Sequence, residues 1–265
     1  MSDASAPATP EQSFVELLDG RFKIRLLQAG AGDPLLYLHG VTGLQWDPLL
    51  DALAGTHRVL ASEHPGAGES QGLEHVEDIW DLVLYYNELL DQLGVERATV
   101  VGHSFGGMVA AELAATSPHR VERLVLIAPL GLWRDDHPVP DLSGVPAAAR
   151  PGLLVADPAG PAAAMLPSPD PTDPEQLFRA SLTMASILQF VWPLPEKGLS
   201  KRLYRVAAPT LLVWGTEDRF VDRAYAGDFA TQIEGAAVEL VEGAGHLPQL
   251  ERPERTIEAV TRFVS

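Results

Sequence analysis

Ser104 lies in the stretch VVGHSFGGMVAAELA, Val100 to Ala114, with Gly102 and Gly106 two residues to either side. The apolar run before it reads as a buried strand and the small-residue run after it as a helix, so the serine falls on the turn between them. A turn that sharp leaves no room for side chains two residues either side of its apex. It would hold the hydroxyl clear of the fold beside a helix N-terminus, where developing negative charge is favoured. The chemistry to expect is attack by a serine oxygen. A glycine-rich turn that only packs a helix close to a strand would explain the same five residues. A dinucleotide or phosphate loop fits poorly, because G-x-G-x-x-G would need glycine where Ser104 stands and no G-K-[ST] occurs.

Two more residues with chemical capacity follow strands late in the chain. VWGTEDRFVD places Asp218 in a loop directly after a buried strand, and VEGAGHLPQLERPE places His246 in a glycine-rich loop after the next one. Asp218 could instead cap the following helix, with Glu217 or Asp222 facing the histidine. Of the other histidines, His57, His75, His119 and His137 stand in polar or loop contexts that suggest the surface, while His39, His64 and His103 sit inside motifs whose resemblance to those of a known family implies a structural role.

The elements that must position these residues are legible from their patterns. FVELL and FKIRLLQ flank an Asp19-Gly20 turn and suggest a hairpin. PLLYLHG, HRVLAS, ATVVG, RLVLIAP, APTLLVWG and AAVELVE are short, apolar and separated mostly by helical patterns, which implies a parallel sheet with crossover helices. VEDIWDLVLYYNELLDQLG carries Ile79, Val83, Tyr86, Leu90 and Leu93 at helical spacing and stops at Gly94. PERTIEAVTRFV forms the last helix, with Pro253 near its start. Between His137 and Pro174 the alternation breaks, and ten of the chain's 22 prolines fall there, which marks an insertion. PEQLFRASLTMASILQFVW then predicts a helix with Leu177, Phe178, Leu182, Ala185, Leu188 and Val191 along one side, ended by Pro193 and Pro195. No internal repeat is present.

The bulk composition narrows the class. At 265 residues, with 46% hydrophobic and 21% charged residues, the chain can bury one large core. No apolar run is long enough to span a bilayer. A formal charge of −17 opposes binding to nucleic acid and to anionic lipid. The absence of cysteine removes disulfides and thiolate sites and fits a cytoplasmic location. MSDASAPATPEQ lacks the pattern of a secretion signal and reads as a disordered lead-in over residues 1–12.

Taken together, LYLHGVTG, EHPGAGES, VVGHSFGG, LLVWGTEDRFVD and GAGHLPQLERPE resemble α/β-hydrolases of the esterase and carbon–carbon bond hydrolase type. The resemblance spans nearly the whole chain outside the insertion. It implies an α/β fold with a mostly parallel central sheet flanked by helices, a core of residues 13–129 and 207–265, and a helical cap after the sixth strand, residues 130–206. It also implies Ser104 as nucleophile, His246 as general base and Asp218 as the carboxylate that fixes the imidazole. The backbone amides of Val41 and Phe105 would form the oxyanion hole. Glu63 departs from the family's usual aspartate in a structural loop. Trp133, Met165, Leu166, Met184, Leu188 and Trp192 are candidates to line an apolar substrate pocket, and Arg134, Arg150, Lys197 and Arg202 are the cations that could meet a substrate carboxylate.

The expected activity is hydrolysis of a small, moderately apolar carboxylic ester through an acyl-enzyme, with a small molecule as partner and no cofactor or metal. A carbon–carbon hydrolase acting on a vinylogous diketone, or a slowly turning ligand sensor, would use the same residues. Dehalogenases and epoxide hydrolases of this fold place aspartate at the elbow, so Ser104 argues against them.

Overall fold

A computed structural model describes residues 9–265. Eight strands form one sheet: β1 (Glu11–Leu17), β2 (Phe22–Ala29), β3 (Pro34–Leu38), β4 (Arg58–Ser62), β5 (Ala98–His103), β6 (Val121–Ile127), β7 (Thr210–Gly215) and β8 (Ala237–Val241). Their order across the sheet is β1-β2-β4-β3-β5-β6-β7-β8. The β1–β2 hairpin turns where Leu18, Asp19 and Gly20 take positive φ, and β2 runs antiparallel to β4. All pairings from β4 through β8 are parallel. Because β1 begins at Glu11, the last two residues of the expected lead-in belong to the sheet; residues 1–8 of that segment lie outside the described residues.

The helices are α1 (Pro48–Ala54), α2 (Ile79–Gln92), α3 (Phe105–Thr116), α4 (Pro151–Leu154), α5 (Pro161–Ala164), α6 (Pro174–Val191), α7 (Ala224–Gln232), α8 (Pro248–Glu251) and α9 (Pro253–Val264). Each parallel crossover puts its helix on one face of the sheet, so strands must be apolar on both sides. Alternate residues divide the core accordingly. Leu36, Leu38, Val100, Leu124, Leu126, Leu212 and Trp214 face α2, α3 and α7. Leu35, Tyr37, Val101, Val125, Ile127, Leu211 and Val213 face the opposite layer, with Leu49, Leu50 and Leu53 of α1 and Val260 and Val264 of α9.

The connection between β6 and β7 carries α4, α5 and α6. Helix α6 forms where expected, but of the expected stripe only Leu188 and Val191 pack against the core, and both are half-buried. Leu177, Phe178 and Leu182 are exposed, and the buried row is Thr183, Ser186, Ile187 and Phe190. Tertiary partners set this rotation. Phe190 stacks on Phe105 with ring centroids 5.8 Å apart, and the Gly68 amide donates to Thr183 Oγ1 at 2.9 Å. His57, expected at the surface, is buried, with Nδ1 paired to Thr56 Oγ1 at 2.9 Å. Among the described residues, no helix is long and apolar enough to cross a membrane.

Candidate active site

Strands β5, β6, β7 and β8 run side by side in one direction, so the loops that leave β5, β7 and β8 open at one sheet edge. Ser104 is the first residue past β5, at φ 55° and ψ −118°, a strained conformation for a residue with a side chain. Surrounding bonds hold it there. Its amide donates to the Ile127 carbonyl at 2.9 Å, and its carbonyl accepts from Met108 at 3.1 Å and Leu130 at 3.0 Å. The glycines are required sterically. A Cβ on Gly102 would overlap the Gly106 carbonyl, and one on Gly106 would overlap the Leu38 carbonyl at the end of β3.

Across this edge His246 meets both expected partners. Its Nε2 lies 2.8 Å from Ser104 Oγ and its Nδ1 2.8 Å from Asp218 Oδ2. All three residues are buried. The other Asp218 oxygen accepts the Phe220 and Val221 amides, each at 2.9 Å, which pins the carboxylate. The alternatives for that position point elsewhere. Asp222 accepts from the Ala224 amide at the start of α7, and Glu217 lies exposed beside Arg219. Phe220 presses edge-on against the His246 ring, with centroids 4.8 Å apart. No pattern in the sequence marks Phe220; its position follows only from the turn after Asp218.

The loop after β3 forms the opposite wall. A Cβ on Gly40 would stand 2.9 Å from Ser104 Cβ, so the backbone here abuts the serine. His39 is part of this wall through its ring. Its Nε2 accepts the His64 amide at 3.1 Å, which leaves the proton on Nδ1, and Nδ1 donates to the Gly40 carbonyl at 2.8 Å. The Gly43 amide donates to the same oxygen at 3.1 Å. A planar trans peptide puts the Val41 N–H opposite that carbonyl, so fixing one end aims the other. Neither the Val41 nor the Phe105 amide donates within the described residues. Two unspent donors at the start of α3 and in the adjoining loop can stabilise an anion formed on Ser104.

A buried network supports this loop. His64 Nε2 donates to the His39 carbonyl at 2.9 Å, and the Tyr86 hydroxyl donates to His64 Nδ1 at 2.6 Å. Glu63, the departure from the family pattern, binds Arg25 at 2.8 Å and accepts from the Glu69 amide and the Ser70 hydroxyl. Burial holds His39 down to about 4 and His64 well below the usual histidine range. His103 is likewise pushed down to about 3, and its Nε2 donates to the His246 carbonyl at 2.9 Å. These three imidazoles are therefore neutral hydrogen-bonding struts.

A cavity of about 390 Å³ reaches Leu130, whose amide binds the Ser104 carbonyl, and Phe220, whose ring meets His246. Val41, Leu130 and Phe220 form its inner end, and Val139, Leu142, Ile187, Leu188, Val191 and Trp192 extend it. Of the expected pocket residues, only Leu188 and Trp192 line it. Trp133 is turned aside, its Nε1 donating to Asp135 at 2.8 Å. Leu166 and Met184 pack onto the main core instead, and Met165 is exposed. The proline-rich segment supplies the wall that periodicity could not reveal, including Pro140, Asp141 and Ser143. None of the candidate cations lines the cavity. Arg134 pairs with Asp136 and Asp228, Arg202 with Glu112, Lys197 donates to the Trp192 carbonyl, and Arg150 donates to the Val145 carbonyl. Among the described residues, no group of three or more histidine, aspartate or glutamate side chains could hold a metal ion.

The model of the alpha/beta hydrolase family matches residues 35–259. A 2-hydroxymuconate semialdehyde hydrolase from Pseudomonas sp. (strain CF600) is 35% identical over 136 residues, which cover 48% of this chain and 47% of the relative. The solved structure of a hydrolase from Pseudomonas aeruginosa PA01 is 26% identical with a TM-score of 0.71, and the match covers 99% of this chain and 100% of that one. A meta-cleavage product hydrolase from Pseudomonas fluorescens IP01 shares the fold, with a TM-score of 0.74 at 20% identity over 92% of this chain and 94% of that one.

Proposed function

The chain belongs to the alpha/beta hydrolase family, and from that premise we propose that it is a serine hydrolase cleaving a small, uncharged and moderately apolar carboxylic ester through an acyl-enzyme. The carrying observation is the pair of 2.8 Å contacts that run from Ser104 Oγ through the His246 ring to Asp218.

In this reading the connection between β6 and β7 acts as a cap, and the cavity holds the apolar part of the ester. Ser104 Oγ attacks the ester carbonyl carbon while its proton passes to His246 Nε2. Asp218 keeps the other ring proton on Nδ1 and stabilises the imidazolium that forms. The Val41 and Phe105 amides receive the oxyanion. Collapse of the tetrahedral intermediate expels the alkoxide, which takes the proton from His246 and leaves as the alcohol. Water then attacks the acyl-enzyme with His246 again as base, and the carboxylic acid and free Ser104 result.

The similarity to a 2-hydroxymuconate semialdehyde hydrolase favours carbon–carbon cleavage as a second reading. Charge weighs against it. A substrate with a carboxylate would favour a cation in the pocket, whereas among the described residues the cavity wall includes Asp141 and no lysine or arginine. A panel of p-nitrophenyl esters of graded chain length, lactones and a vinylogous diketone, run with the wild type and Ser104→Ala, tests the proposal. Ester turnover that Ser104→Ala abolishes supports it. Turnover confined to the diketone, or undiminished ester turnover in the variant, overturns it.

A further inference from the structure

Three successive amides frame the base: Gly245, His246 and Leu247. All three are spent, and their partners belong to only two groups. The Gly245 and Leu247 amides donate to Glu251 Oε1, at 2.8 and 3.3 Å. The His246 amide donates to the Leu154 carbonyl at the end of α4, at 3.0 Å. Glu251 Oε2 reaches in the other direction and accepts the Ala156 amide at 2.7 Å. One carboxylate therefore grips the loop on both sides of His246 and, with its second oxygen, the chain just past α4.

The two backbones are also in contact. A Cβ on Gly245 would stand 2.7 Å from the Ala156 nitrogen and 2.9 Å from the Val155 carbonyl carbon. The contact is reciprocal: the base loop donates to the α4 end at Leu154, and the segment beyond α4 donates back at Ala156. Burial raises the Glu251 carboxyl above its ordinary range, and the three amide donors and Arg252 oppose that rise. Nothing in the acyl-transfer chemistry uses this side chain.

We propose that Glu251 is a positioning residue that makes the placement of the His246 ring depend on the seating of the Leu154–Ala156 segment, so that the region covering the site and the general base move as one unit. The inference rests on the serine hydrolase reading. An imidazole poised 2.8 Å from a hydroxyl tolerates little drift, since a displacement of about 1 Å can cost roughly a hundredfold in rate.

Two variants test it from opposite sides. Glu251→Gln keeps the shape of the side chain, but its amide nitrogen cannot accept, so one of the two backbone segments loses its acceptor. Ala156→Pro removes the N–H that Oε2 binds and alters no residue of the base loop. With a p-nitrophenyl ester, both variants are expected to lower kcat about tenfold to a hundredfold with KM within about twofold. Both should also weaken or broaden the low-field proton resonance of His246 Nδ1–H, measured well below the unfolding temperature. Unchanged kcat in folded Glu251→Gln overturns the positioning role. A drop in Glu251→Gln with unchanged kcat in folded Ala156→Pro overturns the coupling, because the carboxylate would then act on the loop alone. A wild type inert toward every ester is a failure of the serine hydrolase reading itself; the resonance still reports whether the variants disturb the histidine.

Discussion

His103 donates from Nε2 to the main-chain carbonyl of His246, 2.9 Å away and 143 positions along the chain. The residue that precedes Ser104 thus holds the loop that carries His246. Burial pushes the His103 ring down to about 3, so it stays in the neutral form with its single proton on Nε2. His103→Leu removes it and leaves a buried carbonyl unpaired, at a cost of about 1–3 kcal/mol. The expected result is a lower urea midpoint together with a fall in kcat of about tenfold at nearly constant KM. Steady-state kinetics and urea denaturation of the same preparation check both halves.

Asp218→Asn tests the imidazole's orientation without emptying the site. The asparagine oxygen can still accept the Phe220 and Val221 amides, which places its NH₂ against His246 Nδ1. That arrangement forces the ring proton onto Nε2, where it faces Ser104 as a donor and cannot take the hydroxyl proton. A loss in kcat of roughly 10⁴-fold is expected, with the melting temperature little changed. Retention of more than a tenth of wild-type kcat would contradict the assignment.

Gly40→Ala probes the donor loop. The added methyl would stand 2.9 Å from both His103 Nδ1 and Ser104 Cβ, so the loop must shift away from the serine and take the Val41 amide with it. Loss of one such donor is worth about 10²-fold or more in kcat. Rates with a fixed ester, compared at matched folded fraction by circular dichroism, measure the effect.

Acid stability should follow the buried imidazoles. Unfolding releases His39, His64 and His103 to protonate at their ordinary value near ~6.5, well above their folded values. The unfolded chain then binds more protons, so stability falls as pH drops from roughly 6.5 toward 4. Asp47, raised by burial to about 6, acts in the opposite sense, as do Glu112 and Glu251. Protonation of the unfolded histidines begins at a higher pH than that of Asp47, and each histidine left uncompensated costs about 1.4 kcal/mol per pH unit. Urea midpoints at pH 7 and pH 5 report the sign, and a midpoint that rises on acidification would reject it.

The eight strands and the turn at Ser104 were legible in the sequence because each depends on local rules, whereas Asp218 and His246 were legible through the resemblance of their motifs to a known family. Short continuous apolar runs bounded by turns specify buried strands, and glycines two residues from the serine specify a turn with no room for Cβ atoms. The face that α6 buries was not legible. Leu177, Phe178 and Leu182 could equally have pointed inward, and only the Phe105 ring and the Gly68 amide decided that Phe190 and Thr183 would. The pocket wall was hidden for a related reason. Proline-rich chain has no periodicity to read, and whether Trp133 or Trp192 meets the cavity depends on which backbone lies opposite. Glu251 shows the same limit at the site itself: a carboxylate five residues past His246 becomes significant only when folding brings the Ala156 amide to its second oxygen. Sequence determined which elements exist and which residues could react. Long-range packing decided what each side chain faces, because that depends on partners far away along the chain.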